Sequence, residues 1–184
     1  MKKFFILLIV FIFTFSSAVA ADNYLNELSE YALWKNQKRI KVWVQPSTKY
    51  TTTVYNAFRE WETAGGGCIH FVQANNESTA NIRVYFVPKV ADGVAGNTQH
   101  RSAGKYMLSA NIWIGYVVPG RRNQTLSKDN VFAVAVHEIG HALGIMGHSS
   151  NRNDIMYPTT DVIGIHASNR DINTIREFYC SGKY

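Results

Sequence analysis

The stretch from His137 to Pro158, H-E-I-G-H-A-L-G-I-M-G-H-S-S-N-R-N-D-I-M-Y-P, constrains this chain more than any other. His137 and His141 stand four residues apart. On an α-helix of about 3.6 residues per turn, that spacing brings both rings to one face, one turn apart. Two imidazoles on so rigid a support can hold one Zn²⁺. Glu138 follows the first of them and is placed to lean over the open side of the metal, where it can take a proton from water. Gly144 enters the left-handed conformation at little cost, so it can stop the helix and turn the chain sharply. His148 lies just beyond and is placed to return as a third nitrogen ligand. Three protein ligands leave a fourth position to water, which is the open arrangement of a catalytic zinc.

H-E-x-x-H followed by x-x-G, a third His and a downstream Met resembles the metzincin metallopeptidases. Within them, His148-Ser149 and Met156-Tyr157-Pro158 are most similar to the matrixins. The resemblance implies an α/β (α+β) zincin-like catalytic domain, with a twisted, mostly parallel sheet, an active-site helix and a C-terminal helix. It implies one catalytic zinc, with Met156 as a hydrophobic floor beneath it and not a ligand. Two residues past the Met stands Pro158, so no tyrosine ligand is implied. The family's usual spacing would put the third histidine at position 147, which is Gly147 here. The turn is one residue longer, and Gly147 offers backbone freedom to absorb it as a bulge. The alternative is that Asp154 or a water substitutes for His148.

The first twenty residues read as a signal peptide rather than fold. Lys2 and Lys3 precede an apolar run from Phe4 to Phe15, and Ala18-Val19-Ala20 fits the small-residue cleavage rule. The run is short for a membrane span. The expectation is an exported protein, either secreted or held in a periplasm or cell envelope, with no stable membrane insertion after cleavage. Residues 21–33 are polar with scattered apolar positions and read as a short pro-segment or, more simply, a frayed N-terminal arm. Residues 34–184 are then one catalytic domain, expected as a monomer. Cys68 and Cys180 are the two cysteines. In an exported chain they point to a disulfide tying the middle of the chain to its end. Formal charge is +6, and +4 without Lys2 and Lys3. That is mild, and with no nucleic-acid motif it excludes that class of partner.

Arg39–Val44 alternates apolar and charged residues and predicts the first strand. Thr51–Glu62 carries Val54, Phe58 and Trp61 on one helical face. Ile69–Gln73 and Ala80–Val87 predict two more strands. Asp92–Gly104 is Gly-rich and polar and reads as a loop. Met107–Val118 alternates strongly and predicts another strand, which by resemblance is the edge that faces substrate. Ser127 should cap the helix from Lys128 to Leu143. Residues 159–166 form a loop that, in matrixins, lines a specificity pocket. Ser168-x-x-Asp171 predicts the start of a last helix through Tyr179. By resemblance, Asp171 supports the Met156 turn. Arg170 stands where the family has an acid that pairs with the mature N-terminus, so the resemblance does not extend to that latch.

The matrixin cysteine switch, P-R-C-G, is absent, so any latency would need another group over the metal, such as Asp22. The family's second-zinc and calcium motifs are absent too. His100 stands alone, and calcium is not implied. The function implied is hydrolysis of internal peptide bonds in protein or peptide substrates, with Glu138 as general base. Two other readings stay open: an exported zinc-containing binding or adhesion module without proteolysis, and a processing peptidase of narrow specificity.

Overall fold

In the computed structural model, described for residues 22–28, 30–91, 94–118, 124–159 and 166–184, a five-stranded sheet carries two long helices on one face. Residues 1–20, expected as a signal peptide, and most of the 159–166 loop lie outside the described residues. Strand β1 is Glu30–Tyr31 and β2 is Ile40–Val44. Helix α1, Thr51–Ala64, returns the chain to β3, Phe71–Gln73, and β4 is Ile82–Val87. Next come β5, Gly96–Ala103, and β6, Tyr106–Gly115. Helix α2 is Lys128–Ala142, β7 is Ile145–Met146 and α3 is Asn169–Cys180.

The sheet order is β3-β2-β4-β6-β5. All pairs are parallel except β5 with β6. Parallel neighbours need a crossover, and α1 supplies it between β2 and β3. The period-2 pattern decides which face is covered. Ile40, Val42, Val44, Ile82, Val84, Ala110, Ile112 and Ile114 are all buried beneath the helices. The opposite face carries Trp43, Tyr85 and Trp113, half-buried, with ring centroids 5.7 and 5.8 Å apart along the row.

Two expectations are corrected here. Asp92–Gly104 is not simply a loop, because Gly96–Ala103 is strand β5. It forms through main-chain bonds to β6, and most of its side chains are exposed. An edge strand with so little buried surface shows no apolar alternation to read. Consequently β6 is interior, between β4 and β5, and β5 is the terminal strand. The alternation of Ala110, Ile112 and Ile114 reports one buried face, which an interior strand shares with an edge strand.

The N-terminal arm is not frayed either. Tyr24 is fully buried, and Ala32 and Leu33 join the core. β1 pairs antiparallel with β7, with Tyr31 opposite Ile145. At the other end of the chain, Cys68 and Cys180 are joined by a disulfide that ties the segment after α1 to the end of α3.

Candidate metal centre

Helix α2 starts where Ser127 accepts a hydrogen bond from the Asn130 N–H at 3.1 Å. That capping bond satisfies one of the otherwise unpaired first-turn donors. The helix ends at Gly144, whose φ is +97°. A Cβ there would also run into the Ala32 carbonyl, so position 144 requires glycine on two counts. The last carbonyls of α2 have partners outside the helix. Trp34 Nε1 donates to Ala142 at 2.9 Å, and Tyr179 Oη donates to Leu143 at 2.8 Å. Within the helix, Trp61 Nε1 donates to the Val136 carbonyl at 2.8 Å, just before the first histidine. The support of the site is thus held along its length by buried aromatic donors.

His137, His141 and His148 converge. Each offers one ring nitrogen, and the three lie within 4.8 Å of one another. Ring centroids are separated by 4.9, 5.2 and 5.1 Å. His137 Nδ1 donates to the Ile155 carbonyl at 2.8 Å, and His141 Nδ1 donates to the Ile145 carbonyl at 2.8 Å. A carbonyl only accepts, so Nδ1 carries the proton and Nε2 keeps its lone pair for a metal. Burial, and then repulsion by His141, push His137 down to about 3. Burial likewise pushes His141 down to about 4 and lowers His148. All three rings are therefore neutral donors near pH 7. Three neutral imidazoles, two of them oriented by carbonyls, fit Zn²⁺ with an open position. Asp154, the alternative ligand, is fully buried and engaged elsewhere. It accepts from Ser149 Oγ at 2.5 Å, Ser168 Oγ at 2.7 Å and Arg170 at 2.6 Å.

The longer turn before His148 is absorbed differently from the bulge expected at Gly147. The positive-φ glycine is Gly144. Residues Ile145–Met146 are drawn out as β7 along β1. Gly147 matters for room: a Cβ there would sit 3.2 Å from Leu28 Cδ2 of the arm.

Glu138 is buried, against strand β5. Thr98 Oγ1 lies 2.6 Å from Glu138 Oε2 and donates to it. Gly96 passes so close that a Cβ there would be 2.6 Å from Glu138 Oε1. Burial pushes the carboxyl up to about 7, against the Thr98 hydrogen bond, which lowers it. Met156 is fully buried and packs on α2 at Gly140, where any Cβ would strike its Sδ. Asp171 Oδ2 accepts from the Ile155 N–H at 2.9 Å, which holds the turn that bears Met156. Asp171 also completes the capping box of α3 with Ser168.

Asp22 lies 3.4 Å from Arg170 Nε, on α3. His100 is an exposed residue of β5, and His166 is exposed beside Glu60. His70 pairs with Glu62 at 2.7 Å. None of these three belongs to the histidine cluster found among the described residues. The sequence reading missed Thr98, Gly96, Gly140 and Glu27. Only Gly140 carried a signal, because glycine inside a helix costs about 1 kcal/mol against alanine and calls for a packing reason.

The site's geometry can be set beside known proteins. The chain is 33% identical to Metalloendoproteinase 2-MMP of Arabidopsis thaliana over 149 residues, 73% of this chain and 38% of that protein. It is 28% identical to Metalloendoproteinase 1 of Glycine max over 179 residues, 83% of this chain and 56% of that protein. It is 30% identical to the hatching enzyme of Paracentrotus lividus over 140 residues, 70% of this chain and 22% of that protein. The chain thus spans less than two thirds of the length of these relatives. The peptidase M10 model, described as matrixin, matches residues 29–180, and the chain belongs to the matrixin family.

Proposed function

We propose that this protein is an exported zinc endopeptidase in which His137, His141 and His148 hold one catalytic zinc and Glu138 is the general base. The observation that carries the reading is the convergence of three ring nitrogens within 4.8 Å, with a buried carboxylate, Glu138, next to His137 on the helix that bears two of them. Bound there, zinc would polarise a scissile carbonyl and make a water acidic enough to attack near neutral pH. The protein's own groups do the rest. Glu138 accepts the proton of the attacking water and returns it to the leaving amine. Thr98 occupies Oε2, so Oε1 is the oxygen for that transfer. The peptide lies extended along the outer edge of β5 and is held by main-chain hydrogen bonds. Support for this comes from β5 being the terminal strand and crossing Glu138 at Gly96 and Thr98. Residues 1–20 direct export, and the names of the plant relatives agree with proteolysis.

The test is zinc content measured alongside cleavage of a mixed peptide library, with and without a chelator. Chelator-sensitive cleavage at many sites is the expected result. Glu138→Ala should keep the metal and lose cleavage by about 10²–10⁴-fold. Full activity in that variant would remove Glu138 from the reaction. Bound zinc without any cleavage would make the chain a binding module, and a single product would make it a narrow processing enzyme.

A further inference from the structure

We propose that the N-terminal arm, residues 22–28 and 30–33, is a working part of the metal site: it braces the groups that orient His137 and His141 and the loop that carries His148, and zinc affinity depends on its being docked. This rests on the three histidines being the zinc ligands, as read above.

Three routes lead from the arm, two to rings and the third to the loop that bears His148. Tyr24 donates its phenol proton to Asp171 Oδ1 at 2.8 Å. Asp171 Oδ2 takes the Ile155 N–H at 2.9 Å, and the Ile155 carbonyl takes the His137 Nδ1 proton at 2.8 Å. Tyr31 pairs with Ile145 between β1 and β7, and the Ile145 carbonyl takes the His141 Nδ1 proton at 2.8 Å. Glu27 Oε2 accepts the Ser150 N–H at 2.7 Å, two residues past His148. Its other oxygen pairs with Arg170. Arg170 in turn donates to Ser149 Oγ at 3.0 Å and to Asp154 at 2.6 Å. Leu28 closes over Gly147, immediately before His148.

His148 needs this support most. Among the described residues its ring has no carbonyl partner like those of His137 and His141, and it is the exposed member of the three. Its loop is held instead by its backbone. The Ser149 N–H donates to Met156 at 2.8 Å, and the Ser150 N–H donates to the arm. Arg170 lets the arm use acidic side chains, Asp22 and Glu27, to dock on α3. Groups that orient ligands from outside typically change metal affinity by about 10–100-fold when removed.

The experiment measures zinc dissociation constants by competition with a chromophoric chelator, on the full chain. The variants are Glu27→Ala, Tyr24→Phe, Glu27→Gln and, as a control, Glu177→Gln in the exposed Glu177–Lys183 pair. Glu27→Ala and Tyr24→Phe should each raise the constant about tenfold. Glu27→Gln keeps an acceptor for the Ser150 N–H and should recover most of the loss. Glu177→Gln should match the wild type. Thermal midpoints of the metal-free proteins separate this from general destabilisation, which would lower the midpoint and leave the constant of the folded protein alone. Visible Co²⁺ spectra should show a weakened third nitrogen ligand in Glu27→Ala only. Constants within twofold of wild type for both arm variants overturn the proposal. Should Glu27→Ala not fold, Tyr24→Phe decides, since it keeps the ring and removes one oxygen. A wild-type protein that takes no zinc overturns the metal-site reading itself, before any variant is compared.

Discussion

Two segments far from α2 in sequence brace it, and they do so by opposite means. Strand β5 is thin and largely exposed, and it meets α2 through small atoms: the Thr98 hydroxyl and the bare Cα of Gly96. The arm is anchored by a fully buried tyrosine, a short strand pair and a guanidinium shared among Glu27, Asp22 and Asp154. β5 touches Glu138, whereas the arm touches what holds the histidines. The division teaches that reaction and metal retention are supported by different parts of the chain. A lesion in β5 should slow cleavage with zinc in place, and a lesion in the arm should release zinc first.

The largest effect that could break this contrast is at Gly96. Gly96→Ala puts a Cβ 2.6 Å from Glu138 Oε1 and 2.7 Å from Val134 Cγ1, so the carboxylate must move. A displacement of about 1 Å at a reacting group can cost about 10²-fold in rate. Peptide cleavage should fall by about that factor while zinc stoichiometry stays at the wild-type value; metal loss would erase the contrast. Thr98→Val is milder, since it removes one hydrogen bond to a carboxylate and little volume. A bond to a charged group is worth about 1.5–3 kcal/mol, so the low end of that range, a drop of about tenfold in kcat/KM with unchanged zinc affinity, is expected for a carboxyl that burial already pushes up to about 7. Equal losses of rate and metal would place β5 with the arm.

The contrast also decides what could be read from residues alone. The helix, the first two histidines, the glycine turn and the capping box at Ser168 are local patterns, and each follows from spacing along one element. Sheet order is not local. β6 has the same alternation whether one neighbour or two flank it, and β5 has almost none because little of it is buried. The arm escaped for a related reason. Its anchors are partners 150 residues away, as with Tyr24 N and Thr174 Oγ1, so Asn23-Tyr24-Leu25 looks polar and unremarkable by itself. Arg170 shows the limit of family pattern. Its charge seemed to remove a contact between the chain's two ends, yet Asp22 and Glu27 supply the complementary charges and the contact remains.

Gly140 belongs to neither brace: it lies between the two ligand positions of α2 and packs against Met156 and Trp61. Gly140→Ala gains helix propensity worth about 1 kcal/mol. It also drives a methyl into Met156 Sδ and to within 3.0 Å of Trp61 Cζ2. Overpacking of this kind costs about 1–3 kcal/mol, so the net effect is a modest loss. The thermal midpoint should fall by a few degrees, about 2–4 °C per kcal/mol for a domain of this size. A rise in the midpoint would mean that Met156 moves aside without strain, and that the turn is looser than the contrast requires.

The smallest effect tests the arm without any metal. Burial alone would raise the Glu27 carboxyl, but the Ser150 N–H and Arg170 outweigh it and hold the group below its ordinary 4.5. The unfolded chain therefore binds this proton more readily than the folded one, and linkage makes the contribution of Glu27 depend on pH. It is fully present above about pH 4.5 and is lost as pH falls through the lower folded value. Glu27→Gln cannot titrate there. In chelator, the midpoint difference between wild type and Glu27→Gln should be largest above about pH 5 and should shrink steadily below about pH 4. The side chain is 29% exposed, so solvent screens the pair and the difference should be small but ordered in pH. A difference that stayed constant from pH 7 to pH 3 would mean that the charge on Glu27 does not hold the arm, leaving Tyr24 and the β1–β7 pair to do so.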